Sequence, residues 1–252
     1  MPKAKLRLDR LLVSQGLART RQRAQALILA GKVAVDGSRV DKPGALVDPG
    51  RSVTLLARDH PYVSRGGVKL QGALEAFGVS PQGRVCLDAG ASTGGFTHCL
   101  LLHGAVKVYA VDVGYGQFDW SLRQDPRVVL HERTNVRYLS REQVPEPVDL
   151  LVADLSFISL GKVLPGLIRF LGPGAELLCL IKPQFEAGRD RVGKGGVVRD
   201  ASCIREVLQG MMSFLHGLGV GVVGTRESVL KGPKGNREFF VYAQGPASAP
   251  RP

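Results

Sequence analysis

Four ionisable residues lie at the ends of predicted elements, where their side chains could act on a bound molecule. Lys69 precedes a predicted helix, Asp154 opens DLSFIS, Lys182 opens KPQFE and Glu238 lies in GNREFF. A lysine can draw a proton from a hydroxyl group when its surroundings lower its pKa, and carboxylates then orient the ammonium groups. Each residue taken singly also fits a structural ion pair. Four of them at element ends predict a site that activates a hydroxyl nucleophile.

A glycine-rich loop follows the strand-like run VCLD. Gly90, Gly94 and Gly95 let the backbone of this loop approach a ligand closely before an apolar helix begins. Asp112 ends the next predicted strand, 24 positions after Asp88, where a carboxylate can accept hydrogen bonds from ribose hydroxyls. Together these features predict a nucleoside-cofactor site, although a nicotinamide site or a structural turn shares a lone glycine-rich loop.

Three features separate this loop from nicotinamide and phosphate loops. It lacks G-x-G-x-x-G spacing, no Walker lysine follows it, and an aspartate stands directly before it. The stretch DAGASTGGFT resembles the first motif of class I methyltransferases, which implies S-adenosyl-L-methionine as the cofactor. The expected cofactor contacts are Asp88, Gly90, Ala91, Ser92, Thr93, Gly94, Gly95, Phe96, Asp112, Val113, Asn135 and Asp154. A loop-capping role for Asn135 stays equally open.

The elements that carry these residues alternate along the chain. After a predicted helix at 69–77, strand signals fall at 85–88, 106–112, 128–132, 148–154, 175–182, 220–227 and 237–243, with helical signals between them. This alternation predicts an α/β fold with a doubly wound, Rossmann-like, mostly parallel seven-stranded sheet. Ligands bind at the carboxyl ends of such strands, where Asp154 and Lys182 lie.

The first quarter of the chain is a separate basic unit. Residues 1–60 contain twelve Lys and Arg and five Asp, so 12 − 5 = +7 of the formal charge of +12 lies there. Such a charge suits a polyanionic partner. Helices are predicted at 7–15 and 20–30, with Thr20 as the cap of the second and Gly31 as its end, followed by short strands.

This basic unit carries a resemblance of its own. The stretches RLDRLL and ARTRQRAQALILAGKVAVDG are similar to the S4 RNA-binding domain over about 50 residues, with Thr20 where many relatives have Ser. The likeness implies a small α+β domain that binds RNA. The candidates for phosphate contact are Arg7, Arg10, Arg19, Arg21, Arg23 and Lys32. A solvated surface charge is an equally open interpretation for each one.

The motifs together resemble one family over nearly the whole chain. YVSRGGVKL, DAGASTGGFT, DVGYGQ, DLSFIS, KPQFE and GN-x-E are similar to the TlyA family of rRNA 2′-O-methyltransferases, also called haemolysins, with an FtsJ-like catalytic domain. The resemblance implies methyl transfer to a cytidine 2′-hydroxyl in small- and large-subunit rRNA. Its catalytic residues match Lys69, Asp154, Lys182 and Glu238. Lys182 is expected to steer or deprotonate the hydroxyl, while the other three hold its charge and orientation.

Further residues are expected beside the site. Arg65, Arg189 and Lys194 lie in glycine-rich loops, where they could contact phosphates. Phe157 and Phe185 either shape the cleft or belong to the core.

The expected domains are an RNA-binding domain at 1–57, a linker at 58–67, a methyltransferase domain at 68–244 and a disordered tail at 245–252. The chain has no signal-peptide core, no membrane-spanning run and no C-x-x-C pair. We therefore expect a cytoplasmic protein with reduced thiols, no metal, no membrane and no obligate protein partner, acting on ribosomal RNA or ribosomal subunits. Two other classes stay open: a noncatalytic RNA-binding ribosome factor and a membrane-active haemolysin.

Overall fold

The computed structural model describes residues 5–18, 20–29, 31–56 and 60–245, with only the backbone of Arg189. The chain divides into two compact units, Met1–Pro61 and Tyr62–Pro252. The predicted tail, beyond Gly245, and the first two residues of the predicted linker lie outside the described part of the chain. Each unit has its own hydrophobic core and is described by itself.

The first unit is a small α+β domain. Its elements are β1 (Leu6–Arg7), α1 (Leu8–Ser14), α2 (Arg21–Leu29), β2 (Val33–Val35), β3 (Ser38–Arg39), β4 (Leu46–Val47) and β5 (Val53–Leu55). Leu8, Leu12 and Ile28 are fully buried in its core because the apolar positions of both helices recur at helical spacing. Strand β1 pairs antiparallel with β4, a short pairing that the sequence did not indicate.

The second unit is built on a seven-stranded sheet in the order β11-β12-β10-β9-β6-β7-β8. The strands are β6 (Val85–Ala89), β7 (Lys107–Val111), β8 (Val128–His131), β9 (Val148–Ala153), β10 (Leu171–Ile181), β11 (Gly221–Glu227) and β12 (Phe239–Gln244). Strands β6 to β10 are parallel, whereas β12 pairs antiparallel with both β10 and β11. The predicted doubly wound α/β fold is confirmed.

Helices cover both faces of this sheet. They are α3 (Arg65–Phe77), α4 (Gly95–Leu102), α5 (Trp120–Arg123), α6 (Leu164–Ile168), α7 (Pro183–Glu186) and α8 (Ala201–Gly217), joined in places by single 3-10 turns. Helix α3 begins at Arg65 rather than at the predicted Lys69 because the Ser64 side chain caps it by accepting from the Gly66 N–H. Arg65 is therefore helical and does not lie in a loop.

Close packing explains two of the glycines at the start of α3 and α4. A Cβ on Gly67 would lie 2.2 Å from the Tyr62 ring, and one on Gly95 would lie 2.2 Å from Ser64 Oγ. Gly67 therefore lets Tyr62 pack on α3, and Gly95 lets the first turn of α4 approach the first turn of α3. Lys69 follows on the next turn of α3, so its placement depends on this contact.

Some features are absent from the described part of the chain. No helix there is long and apolar enough to cross a membrane. Nor do its His, Cys, Asp and Glu side chains form a group of three that could hold a metal ion. Cys86, Cys99, Cys179 and Cys203 are all buried and free.

Candidate active site

A cavity of about 490 Å³ opens at the carboxyl ends of β6, β7 and β9. Its size is in the range of sites for small molecules and cofactors. The lining residues come from the loops that follow these strands and from the turn after β8; they are Gly90, Ser92, Val111, Asp112, Val113, Gln117, Thr134, Asn135, Val136, Asp154, Leu155, Ser156, Phe157 and Ile158. Six of the twelve predicted cofactor residues, Gly90, Ser92, Asp112, Val113, Asn135 and Asp154, are thus brought together.

The loop after β6 passes close to the end of β9 because of one glycine. Gly90 has φ +89°, and a Cβ there would lie 2.6 Å from the carbonyl oxygen of Asp154. Any other residue would be strained and would collide with the neighbouring strand end. The loop residue Ser92 has its N–H directed at Asp112 Oδ2 (2.8 Å), while the Gly114 N–H donates to Asp112 Oδ1 (2.6 Å). Asp112 is thereby held at the cavity wall by backbone donors from two loops.

Asn135 performs the capping role and also lines the cavity. Its Oδ1 accepts from the Arg137 N–H at 3.1 Å and begins the 3-10 turn Val136–Tyr138. The two interpretations of this residue are therefore compatible, since the cap fixes the side chain at the cavity wall.

The other six predicted cofactor residues, Asp88, Ala91, Thr93, Gly94, Gly95 and Phe96, do not line this cavity. Asp88 is fully buried, and its Oδ2 accepts a hydrogen bond from Thr97 Oγ1 at 2.7 Å. Burial raises the pKa of Asp88 to about 7. Phe96 is a core residue whose ring stacks on that of Phe240. Asp88 and Phe96 are therefore buried core residues and not part of the cavity wall.

The Lys182 ammonium is held by two residues of the cavity wall. Lys182 is 8% exposed, and its Nζ lies 2.6 Å from Asp154 Oδ1 and 2.8 Å from Ser156 Oγ. Both partners line the cavity, so the ammonium group stands directly behind its surface. A buried charge needs such partners because an unpaired charge is costly away from water. The ammonium group thus donates a hydrogen bond to Ser156 and is in ion-pair contact with Asp154.

Lys69 and Glu238 form a second ion pair. Their Nζ and Oε2 atoms lie 2.6 Å apart, and Glu238 is 1% exposed. The backbone of Gly232 packs against the carboxylate, since a Cβ there would lie 2.0 Å from Oε1. The four predicted catalytic residues thus form two ion pairs, each joining a lysine to a carboxylate on a distant segment.

The sheet register brings the two pairs to the same edge. The last antiparallel partners of β10 and β12 are Ile181 and Phe239. Lys182 and Glu238 each stand one position beyond these partners, so their backbones are neighbours. Asp154 follows β9, the parallel strand on the other side of β10. The end of β10 and the adjoining ends of β9 and β12 therefore carry Lys182, Asp154 and Glu238, three of the four predicted catalytic residues.

The Phe185 ring lies beside Lys182, the Phe157 ring packs on it, and neither residue belongs to the core. Phe157 is 91% exposed, and its ring lies 5.3 Å from that of Phe185. Phe157 also has φ +66°, which is unusual for a residue with a side chain. Backbone strain of this kind tends to be kept at functional sites. Of the two interpretations of Phe157, the structure supports the cleft.

The predicted RNA contacts of the first unit differ in their surroundings. Arg7 and Arg21 form ion pairs with the buried Asp9, at 3.0 and 2.9 Å, and the Arg7 guanidinium holds the pKa of Asp9 well below its usual range. By contrast, Arg10 and Arg23 are exposed and form no ion pair with another described residue. Lys32 precedes β2, and Arg19 lies outside the described residues.

The predicted RNA contacts of the second unit lie in different kinds of structure. Arg65 begins α3, and Arg189 begins a 3-10 turn with its side chain outside the described part of the chain. Lys194 is exposed in the turn between Gly193 and Val197, which are bridged to each other. Among these three, only Lys194 has the predicted loop position.

One buried residue near the site was missed as a functional candidate. Asn236 is 4% exposed, donates to the carbonyl oxygens of Gly196 (3.0 Å) and Pro233 (3.2 Å), and accepts from the Val198 N–H (3.2 Å). It therefore ties the loop that carries Lys194 to the segment that enters β12. The motif GN-x-E contained it, and its polar side chain beside an apolar strand was the available signal. Gln117 and Thr134 of the cavity wall carried no such signal.

Comparison with known proteins identifies the family. A family model described as FtsJ-like methyltransferase matches residues 62–245, and an S4 domain model matches residues 6–53. The first match covers most of the chain. The chain belongs to the FtsJ-like methyltransferase family. An S4 domain precedes the family domain, so the resemblances to the S4 domain and to an FtsJ-like catalytic domain are confirmed.

Relatives of this FtsJ-like methyltransferase share both of its parts. It is 51% identical to the 16S/23S rRNA (cytidine-2′-O)-methyltransferase TlyA of Mycobacterium tuberculosis, over 94% of this chain and 88% of that protein. It is 40% identical to Hemolysin A of Brachyspira hyodysenteriae, over 94% and 99%. A solved structure from Streptococcus thermophilus, also named as a hemolysin, matches with a TM-score of 0.77 and 42% identity, over 97% and 90%.

Proposed function

We propose that this protein transfers a methyl group from S-adenosyl-L-methionine to the ribose 2′-hydroxyl of cytidine in ribosomal RNA of the small and large subunits. The observation that carries the proposal is the Lys182 ammonium, fixed by Asp154 and Ser156 at the wall of a cofactor-sized cavity. The named activity of the TlyA relative supports the same reaction. Ribosomal substrates would place the protein in the cytoplasm.

The cavity suits the proposed cofactor. Gly90 lets the loop backbone pass against Asp154 at the cavity wall, and the Asp112 carboxylate lies at the wall as an acceptor for ribose hydroxyls. Gly90, Asp112, Asn135 and Asp154 would hold the cofactor, which supplies a methyl group on a positively charged sulfur. The acidic wall also offers charge complementarity to that sulfonium.

The residues around Lys182 would prepare the acceptor. In the ammonium form of Lys182, an N–H that Ser156 does not engage can hold the 2′-oxygen. In the amine form, the Nζ lone pair can take the hydroxyl proton as the methyl–oxygen bond forms and the methyl–sulfur bond breaks. Asp154 and Ser156 keep Nζ in place during this step. Lys69 and Glu238 fix the start of β12 next to Lys182. Because they pair with each other, neither carries an uncompensated charge.

RNA binding is assigned to the basic first domain, within residues 1–57, and methyl transfer to residues 68–244. Arg10 and Arg23 are the strongest candidates for phosphate contact because neither is engaged by a carboxylate in the described residues. Lys194, Arg65 and Arg189 would contact RNA near the reaction centre.

Tritiated S-adenosyl-L-methionine, incubated with the protein and with 30S, 50S, 70S or free rRNA, tests the proposal. The label should appear on a cytidine ribose, located by nuclease digestion and mass spectrometry. Lys182→Ala and Lys182→Arg should both lower transfer by about 100-fold or more, since arginine keeps the charge but cannot take a proton. Cofactor affinity should stay nearly unchanged in both.

Label on a base would contradict the proposed acceptor. An absence of label on every particle, with cofactor binding intact, would instead favour a noncatalytic RNA-binding factor. Full activity of Lys182→Ala would remove Lys182 from the reaction.

A further inference from the structure

A second cavity, of about 850 Å³, adjoins the first. The two share Phe157 and Ile158 as a common wall, and Gln184 and Phe185 line the second one alone. Arg137 and Lys162 also line it and give it positive charge. A space with aromatic walls and cations beside a cofactor cavity suits a nucleotide, because bases stack on aromatic rings and phosphates attract cations.

Gln184 contributes an unused acceptor to this region. Its Oε1 is buried and has no hydrogen-bond partner among the described residues. A buried carbonyl oxygen without a partner is destabilising, so native structures keep few of them without a reason. Gln184 lines the second cavity, so a rotation of its side chain toward the cavity would let a ligand with an N–H donor satisfy this atom.

The chain places this acceptor close to the reacting group. Gln184 lies on α7, two positions after Lys182, and the Lys182 ammonium lies 6.0 Å from the centre of the Phe185 ring on the same short helix. The segment from Lys182 to Phe185 thus carries three groups: the ammonium proposed to face the ribose, the acceptor of Gln184 and the aromatic ring of Phe185. A nucleotide whose sugar meets Lys182 would have its base directed toward this segment.

We propose that Gln184 selects the base of the acceptor nucleotide, with Oε1 accepting a hydrogen bond from the exocyclic amine of cytosine. This inference rests on the proposed function and adds a specificity residue to it. Cytosine presents an N–H donor at this position, whereas uracil presents a carbonyl oxygen. With the Gln184 amide in the orientation that presents Oε1, two oxygens would face each other without a proton between them, so uridine is disfavoured.

The experiment begins at the cytidine that the tritium assay locates. Subunits carrying uridine at that position are purified from a strain with altered rRNA, and kcat/KM is measured on both forms with the full-length protein. The wild-type protein should prefer cytidine by tenfold or more, the range expected for one well-placed polar contact to a base. Gln184→Leu should reduce the preference to about threefold or less.

Gln184→Glu is the matched variant, since its carboxylate keeps an acceptor at the same place and should keep the preference for cytidine. Cofactor affinity and thermal unfolding of each variant show that the fold and the first cavity are intact. If Gln184→Leu keeps the wild-type preference, or if the wild-type protein methylates uridine equally well, the inference is wrong. Failure of the proposed function itself is distinguishable, because no subunit would then be labelled on ribose.

Discussion

At the scale of single residues, the candidate site contains ionisable side chains that are buried away from solvent. Lys182 and Glu238 are both more than nine-tenths buried, and each is paired with an opposite charge. Such pairs are weak sources of stability because desolvation offsets the attraction, so stability alone does not account for them. Asp88 differs from them, since it is fully buried and its partner is the neutral hydroxyl of Thr97.

The unusual state of Asp88 predicts a pH-dependent stability. Its folded pKa, about 7, lies above its ordinary value of 3.8. Between these values the folded state binds a proton that the unfolded state releases, so the free energy of unfolding falls as pH rises through this window. Asp88→Asn stays neutral and should therefore be more stable than the wild type at pH 8 without cofactor, by roughly 1–4 kcal/mol.

Urea denaturation of both proteins at pH 4, 6 and 8 measures this difference. The two stability curves should converge toward pH 4, where Asp88 is protonated in the folded state. Thr97→Ser, which keeps the hydroxyl, serves as the control and should follow the wild-type pH profile. A difference that stays constant with pH would show that Asp88 does not titrate in this range.

At the scale of elements, the edge of the sheet positions the chemistry. Strand β10 lies between β9 and β12, so its end meets Asp154 on one side and Glu238 on the other. The connection from β11 to β12 closes over Glu238, with Ser228 N–H donating to the Glu238 carbonyl at 2.8 Å. Gly232 lies in that connection and leaves room for the carboxylate.

A methyl group at Gly232 should disturb this arrangement. Gly232→Ala would place Cβ 2.0 Å from Glu238 Oε1, so the carboxylate or the backbone at residue 232 must shift, which disturbs the pairing of Glu238 with Lys69. Because displacements of about 1 Å can cost catalysis up to 100-fold, we expect methyl transfer to fall by about tenfold or more. The cofactor cavity does not include Glu238, so cofactor affinity should change little.

Gly224→Ala is the matched control, because Gly224 lies on β11 and a Cβ there would have no neighbouring atom within 4 Å. The methyl-transfer rate and the cofactor affinity are measured for both variants. A loss of transfer in Gly232→Ala alone would show that the displacement of Glu238, and not a glycine-to-alanine change as such, is responsible. Equal rates for Gly232→Ala and the wild type would argue against a role for the position of Glu238.

At the scale of the whole molecule, charge and chemistry lie in different units. The first unit carries most of the positive charge, whereas the paired lysines and the cofactor cavity belong to the second. Within the first unit, Asp9 already engages two of the predicted RNA contacts. Electrostatic attraction to RNA should therefore depend most on the arginines that Asp9 does not hold.

Charge reversal at Arg10 and Arg23 tests this division. The double variant to Glu should bind rRNA more weakly, and the slope of log affinity against log salt should fall by roughly 1 to 2 because about two phosphate contacts are lost. Both side chains are exposed, so stability should be preserved. Cofactor affinity, measured without RNA, should also be unchanged.

Arg205 and Arg226 of the second unit, reversed together, produce the same change in net charge and serve as the control. Both affinities are measured by fluorescence anisotropy across a salt series. Equal weakening by the two double variants would mean that net charge, rather than the first domain, governs RNA binding.

The amino-acid sequence by itself determined the order of elements, the glycine-rich loop after β6 and the strand ends that carry Asp154 and Lys182. These features follow from spacing between near neighbours: alternation of apolar residues, glycines at a turn and charges after apolar runs. The two-part organisation was visible for the same reason, because the basic residues are clustered along the chain.

Only the tertiary structure decided which charges meet and which residues face the cavity. Lys69 and Glu238 are 169 positions apart, and their contact depends on the antiparallel insertion of β12 beside β10. Asp88 has the sequence position of a cofactor residue, yet its side chain is packed in the core behind the loop. Register, side-chain direction and burial arise from contacts between distant segments, and local spacing does not contain them.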